Sequence, residues 1–219
     1  MRLWFGKSKS VLPNTHALPN THAFIDSPTP LVDDLVELVE PSVRWVDAYL
    51  MTTGSPGCMN DVAARLTRRD LLRFLETFPR GRQRENPFNG HSHGYTFWIR
   101  LRRPTSLEIV GTISLRIGDD ENLRCYLGHV GYGVFPPARG QRIAERATRL
   151  LFPLARAHGL SELWITANPD NAASRTTCER LGGRLIDIVN LPNTHPLFLR
   201  GETRKCRYRI DLDSESQIP

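Results

Sequence analysis

The chain has 219 residues, 40% of them hydrophobic and 24% charged, with a formal net charge of +6. That length buries one substantial core, and that balance excludes a wholly disordered chain. The charge suits nucleic acid, phosphorylated cofactors or plain solubility, and it selects none of them.

Residues 1–30 are rich in Pro, Asn, Thr and Ser and read as an irregular segment of turns. The pentamer LPNTH stands at 12–16 and 18–22, and again at 191–195. One repeat at a period of six is not a solenoid. The apolar stretches here are too short for a signal peptide, and no apolar run in the chain reaches about 18 residues. A cytoplasmic protein without a membrane span is expected.

Residues 31–50 read as helical. Leu35, Val36, Val39 and Val43 recur at helical spacing, Asp33 and Asp34 suit an N-terminus, and Pro41 divides the segment. Residues 51–67 read as loop, 68–78 as a short helix, and 79–94 as an exposed polar loop. The pattern then changes. YTFWIRLR (95–102), EIVGTISLR (108–116) and GHVGYGVF (128–135) read as strands, with RRPTS and GDDEN as turns between them. Residues 140–157 form the clearest helix, with Ile143, Ala147, Leu150, Leu151 and Leu154 on one face and Pro153 as a kink. LWITA (163–167) is a buried strand. Residues 169–183 give a turn, a short helix capped by Asp170 or Asn171, and a stop at Gly182. RLIDIV (184–189) and KCRYRIDL (205–212) are the last strands, before a frayed tail at 213–219. The expected architecture is a mixed α/β domain over 31–212 with a central sheet.

Cys58, Cys125, Cys178 and Cys206 form no C-x-x-C pair, so neither a zinc site nor a disulfide framework is expected. His91 and His93 share a glycine-containing loop, but two histidines do not make a metal site, and no metal is expected. The best chemical signal is the turn VFPPARGQRIA, from Val134 to Ala144. Pro136 and Pro137 carry no amide hydrogen, so free donors collect beyond them, where a helix opens. Gly140 permits close approach, Ala144 is small, and Arg139 and Arg142 add charge, which together suit a diphosphate. Neither G-x-x-x-x-G-K-[ST] nor G-x-G-x-x-G is present there, so this is neither a nucleoside-triphosphate loop nor a dinucleotide fingerprint.

These residues resemble the Gcn5-related N-acetyltransferase superfamily. Arg139-Gly140-Gln141-Arg142-Ile143-Ala144 is similar to the family's [RQ]-x-x-G-x-[GA], with Arg142 in place of the glycine. NPDNAAS, from Asn168 to Ser174, followed by CERLGG, is similar to the family's N-x-x-[AS] region and its ending. GHVGYGV and RYRIDL resemble those of a bacterial subgroup. The resemblance spans about 31–212, with its specific motifs inside 109–183. It implies the acyl-CoA N-acyltransferase fold: a mostly antiparallel central sheet, splayed near its middle and flanked by helices. It implies acetyl-CoA in the opening between the strands at 128–135 and 163–167. Backbone groups of Val134 and Phe135 would pair with the pantetheine. Amides from Arg139 through Gly140, Gln141, Arg142 and Ile143 to Ala144 would hold the pyrophosphate. Asn171 would lie near the pantetheine and Ser174 near the thiol.

Direct attack of a primary amine on the thioester is the implied reaction. The acceptor is a small-molecule or protein amine, not nucleic acid or membrane, and a homodimer is a compatible assembly. Arg142 is read as turning outward to a CoA phosphate, with partial obstruction of the pocket as the alternative. Cys178 stands where many relatives carry a tyrosine that serves as thiolate acid, and it is read as a core residue; Ser174 or water would then supply the proton. His129 and Tyr132 lie on the strand beside the cleft, on opposite faces. His129 is the candidate base or relay, against a structural hydrogen-bonding role. Glu108 and Glu162 are weaker candidates. The alternative to an enzyme is a non-catalytic acyl-CoA-binding or regulatory module, motivated by Arg142 and Cys178.

Overall fold

A computed structural model describes residues 23–55, 58, 66–83, 93–103 and 105–213. His91, both N-terminal LPNTH copies and most of the tail lie outside the described residues.

The first element corrects the helical reading of 31–50. Val36–Val39 is a strand, β1. The Asp33 carboxylate accepts the amides of Leu35 (2.8 Å) and Val36 (2.7 Å), which turns the chain out of helical geometry. The apolar run suits either period, and pairing along β3 decides it, with Val36 opposite Leu101 and Val39 opposite Trp98. Beyond Pro41 the chain does become helical, first as a single turn over Val43–Trp45 and then as α1, Val46–Thr53. Helix α2, Arg68–Thr77, starts where the sequence places it. Thr67 and Asp70 cap it reciprocally, side chain to backbone in both directions.

Part of the expected loop at 79–94 is ordered backbone: a turn over Pro79–Gly81 and the two-residue strand β2, Arg82–Gln83. Strands β3 (His93–Leu101), β4 (Ile109–Ile117) and β5 (Val130–Val134) form an antiparallel meander. A π-helical turn, Leu123–Leu127, stands between β4 and β5.

The helix expected at 140–157 is two helices, α3 (Ile143–Leu150) and α4 (Phe152–Ala157). Pro153, in the first turn of α4, carries no amide hydrogen to continue the ladder. The break leaves the apolar face intact, with Ile143, Ala147, Leu151, Leu154 and Ala155 all buried. Strand β6 (Glu162–Ala167), helix α5 (Ala172–Arg180), and strands β7 (Arg184–Asn190) and β8 (Arg204–Asp211) complete the domain.

The strands form two antiparallel sheets. One runs β1-β3-β4-β5, with β2 also on β3, and the other runs β6-β8-β7. They touch where the amide of His129 donates to the Trp164 carbonyl (2.6 Å), and β5 and β6 carry no ladder beyond that point. Gly128 permits the contact. Its φ is +71°, and a Cβ there would lie 3.0 Å from backbone atoms of Trp164 and Thr166. Alternation along the strands then divides the molecule. Ile113, Leu115, Ile117 and Val130 face the core shared with α3 and α4, together with Cys178 and Leu181 of the α5 region. Trp98, Ile109 and Phe135 pack with Val46 and Tyr49 of α1 and Leu71 of α2. The splayed seam therefore separates two differently furnished faces. Among the described residues no helix is long and apolar enough to cross a membrane.

Candidate active site

The open edge of β5 forms one wall of the seam. Phe135 donates its amide to Val110 (2.8 Å), and its carbonyl accepts from Ala138 (2.9 Å). The His129 carbonyl accepts from Arg116 (2.7 Å). Odd-numbered residues thus pair with β4, and alternation sends the backbone groups of Tyr132 and Val134 toward the gap. This corrects the expected pair: Val134 faces the seam, but Phe135 is spent on β4 and buries its ring against Tyr49. Tyr132 takes its place, and the hydrogen-bond alternation of the strand was the signal for it. The carbonyl of Val134 already accepts from Arg139 Nε (2.9 Å).

The turn after β5 gathers free donors. Arg139 donates its amide back to Pro136 (3.2 Å), so it is not among them. The first bond of α3 runs from the amide of Arg146 to Arg142 (3.1 Å). The intervening amides, from Gly140 to Glu145, have no backbone partner among the described residues. Nothing lies within 4 Å of a Cβ built on Gly140. Six adjacent donors at a helix start, with space in front of them, fit a diphosphate. Gln141 is held sideways by Arg103 (2.6 Å), Ile143 is buried, and Arg142 is exposed. Arg142 has φ +56° and ψ +23°, the left-handed conformation, which accounts for a glycine at this place in the motif it resembles.

The other wall is α5. Asn171 caps it, accepting the Ser174 amide on Oδ1 (3.1 Å). That bond fixes Ser174 in the first turn. The Ser174 hydroxyl lies 3.0 Å from the hydroxyl of Tyr132, which crosses from β5. Tyr132 also donates to the Ser174 carbonyl at 3.3 Å. Burial, together with the charge that a Cys178 thiolate would carry, raises the phenol above its ordinary value, so it stays protonated. Cys178 is fully buried, and burial pushes its thiol up to about 12. It is a neutral core residue, as the sequence suggests.

His129 is a structural pin rather than a base. Its Nδ1 accepts the Trp164 amide (2.8 Å), which places the proton on Nε2, facing the Gly118 carbonyl at 3.1 Å. Both nitrogens are occupied, and desolvation lowers its pKa to about 4. The ring locks β5 to β6 at the apex of the seam. Glu108 pairs with Arg100, and Glu162 accepts from the Trp164 indole (2.8 Å), so both serve the sheet. His93 packs its ring on Phe24. Among the described residues no group of three or more His, Cys, Asp or Glu could hold a metal ion.

Comparison with known proteins agrees with this geometry. The family model described as "Acetyltransferase (GNAT) domain" matches residues 34–184. No curated protein matches the chain. Among solved structures, the microcin C7 self-immunity acetyltransferase MccE, in complex with acetyl-CoA and AMP, is 18% identical with a TM-score of 0.57, covering 82% of this chain and 93% of that one. RimL, the ribosomal L7/L12 alpha-N-protein acetyltransferase in complex with coenzyme A, is 17% identical with a TM-score of 0.56, covering 84% and 98%. An acetyltransferase from Salmonella typhimurium that modifies the N-terminal serine of L7/L12 is 16% identical with a TM-score of 0.54, covering 84% and 98%. The structural likenesses establish the fold, and with the family match over most of its length the chain belongs to the GNAT family of acetyltransferases.

Proposed function

We propose that the protein transfers an acetyl group from acetyl-CoA to a primary amine, with the reaction at the seam between β5 and β6. The observation that carries this reading is the run of amides from Gly140 to Glu145 that have no backbone partner among the described residues, standing at the end of an open strand edge. These amides would hold the diphosphate, and Tyr132 and Val134 would pair with the pantetheine through their backbone. Asn171 holds α5 in place beside it. Acetyl-CoA supplies the activated thioester. The amine nitrogen bonds to the acyl carbon and gives up one proton to water. The carbon–sulfur bond breaks, and the departing sulfur takes one proton from a group that water then reprotonates, leaving an amide and free CoA thiol.

Ser174 is the proposed source of that proton. The two hydroxyls stand 3.0 Å apart and either can donate. When the phenol, protonated through the neutral range, turns its one hydrogen from the Ser174 carbonyl to Ser174 Oγ, the serine hydroxyl is released to point at the sulfur. The acceptor is a small molecule or a protein. The solved relatives that act on ribosomal protein L7/L12 support a protein amine as one such acceptor.

The test is calorimetric titration of the purified protein with acetyl-CoA, followed by thiol release across a broad amine panel. Saturable binding with amine-dependent release is the expected result. Binding without release on any amine would favour the alternative of a non-catalytic acyl-CoA-binding module.

A further inference from the structure

Arg116 is a cation that the proposed chemistry leaves unused. It lies on β4 with Thr112 and Ser114, on the face turned away from the α3 core. Its guanidinium reaches across β5 at Gly131. A Cβ built there would meet the two terminal nitrogens at 3.1 and 3.2 Å and Ser114 Oγ at 3.2 Å, so glycine gives the group its room and a side chain would press it aside. Nη1 donates to the carbonyls of Gly128 (3.1 Å) and Leu127 (3.4 Å). The other nitrogens make no hydrogen bond among the described residues.

Among the described residues no carboxylate pairs with Arg116; Asp119, which lies toward His129, is paired with Arg124. Other arginines of the sheets do have one: Arg100 meets Glu37, Arg207 meets Asp187, and Arg209 meets Glu162. Arg116 meets no carboxylate among the described residues, and burial alone displaces its pKa, downward. A part-buried charge whose only acceptors among the described residues are two carbonyls is under-compensated, and a second ion offsets much of its desolvation. The amides proposed for the CoA diphosphate lie past the far end of β5, roughly 13 Å along the strand from Gly131 to Phe135 and then around the turn. The anions of CoA are therefore engaged elsewhere. Arg116 stands on the face of β4 turned away from the α3 core, whereas Ser174 approaches the seam from the α3 and α5 side.

We infer that Arg116 binds an oxyanion of the acyl acceptor, so the substrate is an amine that carries a carboxylate or phosphate close to its nitrogen. This rests on the acetyltransferase reading above. Arg116 is a specificity residue here, and its hold on Leu127 and Gly128 keeps the guanidinium aimed at the seam. Planar paired donors suit a carboxylate or phosphate better than a lysine does.

The experiment has two arms, both on the full chain loaded with CoA or acetyl-CoA. In the first, malonate and its neutral diamide are titrated calorimetrically into the CoA complex. Malonate should bind and the diamide should not, and Arg116→Gln should weaken malonate at least tenfold while acetyl-CoA affinity changes less than twofold. In the second, ω-amino acids of two to four carbons are compared with the matching alkylamines. Native protein should favour the acidic amine at least tenfold in kcat/KM, and Arg116→Gln should abolish the preference. Arg116→Lys, which keeps the charge, should retain part of it and covers the case where the glutamine variant does not fold. Equal binding of malonate and its diamide would overturn the inference, as would a preference that survives in Arg116→Gln. A loss of thermal stability without a change in preference would leave Arg116 as a clamp on the turn alone. If acetyl-CoA itself fails to bind native protein, the acetyltransferase reading falls. If it binds and neutral amines react as well as acidic ones, only the role of Arg116 falls. If no amine in the panel reacts, the malonate arm decides.

Discussion

Replacing Arg142 with glycine should make the protein more stable. Arg142 sits at φ +56° and ψ +23° at the N-terminus of α3, and its side chain makes no capping hydrogen bond there. A residue with a Cβ pays about 1–2 kcal/mol for the left-handed conformation. Glycine escapes that cost but loses about 0.5–1 kcal/mol through its greater freedom in the unfolded chain. The net gain is about 0.5–1 kcal/mol, or roughly 1–4 °C in Tm for a domain of this size. Urea denaturation and calorimetry of the native protein, Arg142→Gly and Arg142→Ala measure it. Alanine keeps the Cβ, so that variant should match the native protein within about 0.5 kcal/mol. A glycine variant no more stable than the alanine variant would refute the backbone argument. The same set separates the two readings of the side chain. If the guanidinium grips a CoA phosphate, both variants lose acetyl-CoA affinity alike, by about fivefold for a contact of roughly 1 kcal/mol. If it obstructs the site, both bind more tightly.

Three further outcomes are expected. Gly140→Val forces a β-branched residue into φ +80°, and the amides beyond it should lose their alignment. Acetyl-CoA affinity should fall by at least about tenfold, the equivalent of one lost contact of roughly 1.4 kcal/mol, while the circular dichroism spectrum stays native. His129, buried neutral, binds a proton more readily in the unfolded chain (pKa 6.5) than in the folded one (about 4). Its contribution is complete above pH 6.5 and is lost as pH falls toward 4, by roughly 3 kcal/mol over that window. His129→Asn, which keeps an acceptor for the Trp164 amide, should flatten the fall in denaturation midpoint between pH 6.5 and 4. His158 and His195 shift in the same direction and should leave a residual slope. Ser174→Ala should reduce kcat roughly tenfold to a hundredfold, at or below the low end for a general acid because a thiolate leaves readily. Tyr132→Phe should give a smaller loss of the same kind, with acetyl-CoA affinity nearly unchanged in both, read by stopped-flow thiol release.

The sequence was most readable where local signals and tertiary demands agree. Helix α5 shows this: Asn171, the short polar helix and Gly182 each state their role locally, and the structure keeps all three. The strands β3, β4 and β8 carry enough β-branched and aromatic residues to declare themselves. Strand β1 did not, because the apolar run at 35–39 fits either period and only its partner, β3, breaks the tie. Within the site, the phosphate turn was legible because two prolines and a glycine fix where donors can collect. The direction of the backbone at Phe135 was not, since it depends on register with β4. His129 illustrates a further limit. Its residue type suits a base, and only its neighbours, the Trp164 amide and the Gly118 carbonyl, reveal that both nitrogens are taken.

The two departures from the family pattern have different physical meanings. At Arg142 the backbone keeps the glycine conformation while the residue changes, so strain is tolerated and the shape of the turn is preserved. At Cys178 the side chain changes, and on the proposed mechanism a neighbour supplies the phenol that is missing. The phenol that the resemblance places on the helix after β6 arrives here from β5, as Tyr132, and its hydroxyl meets Ser174 one turn ahead of Cys178. The small buried thiol leaves room for that ring, whereas a tyrosine at 178 would compete with it for the same space in a close-packed core. On the proposed mechanism, proton supply to the sulfur depends on a strand residue and a helix residue held together across the core. Separating them removes the relay without touching the phosphate turn, so loss of turnover with intact acetyl-CoA binding is the signature that distinguishes this arrangement from a pocket that only binds the cofactor.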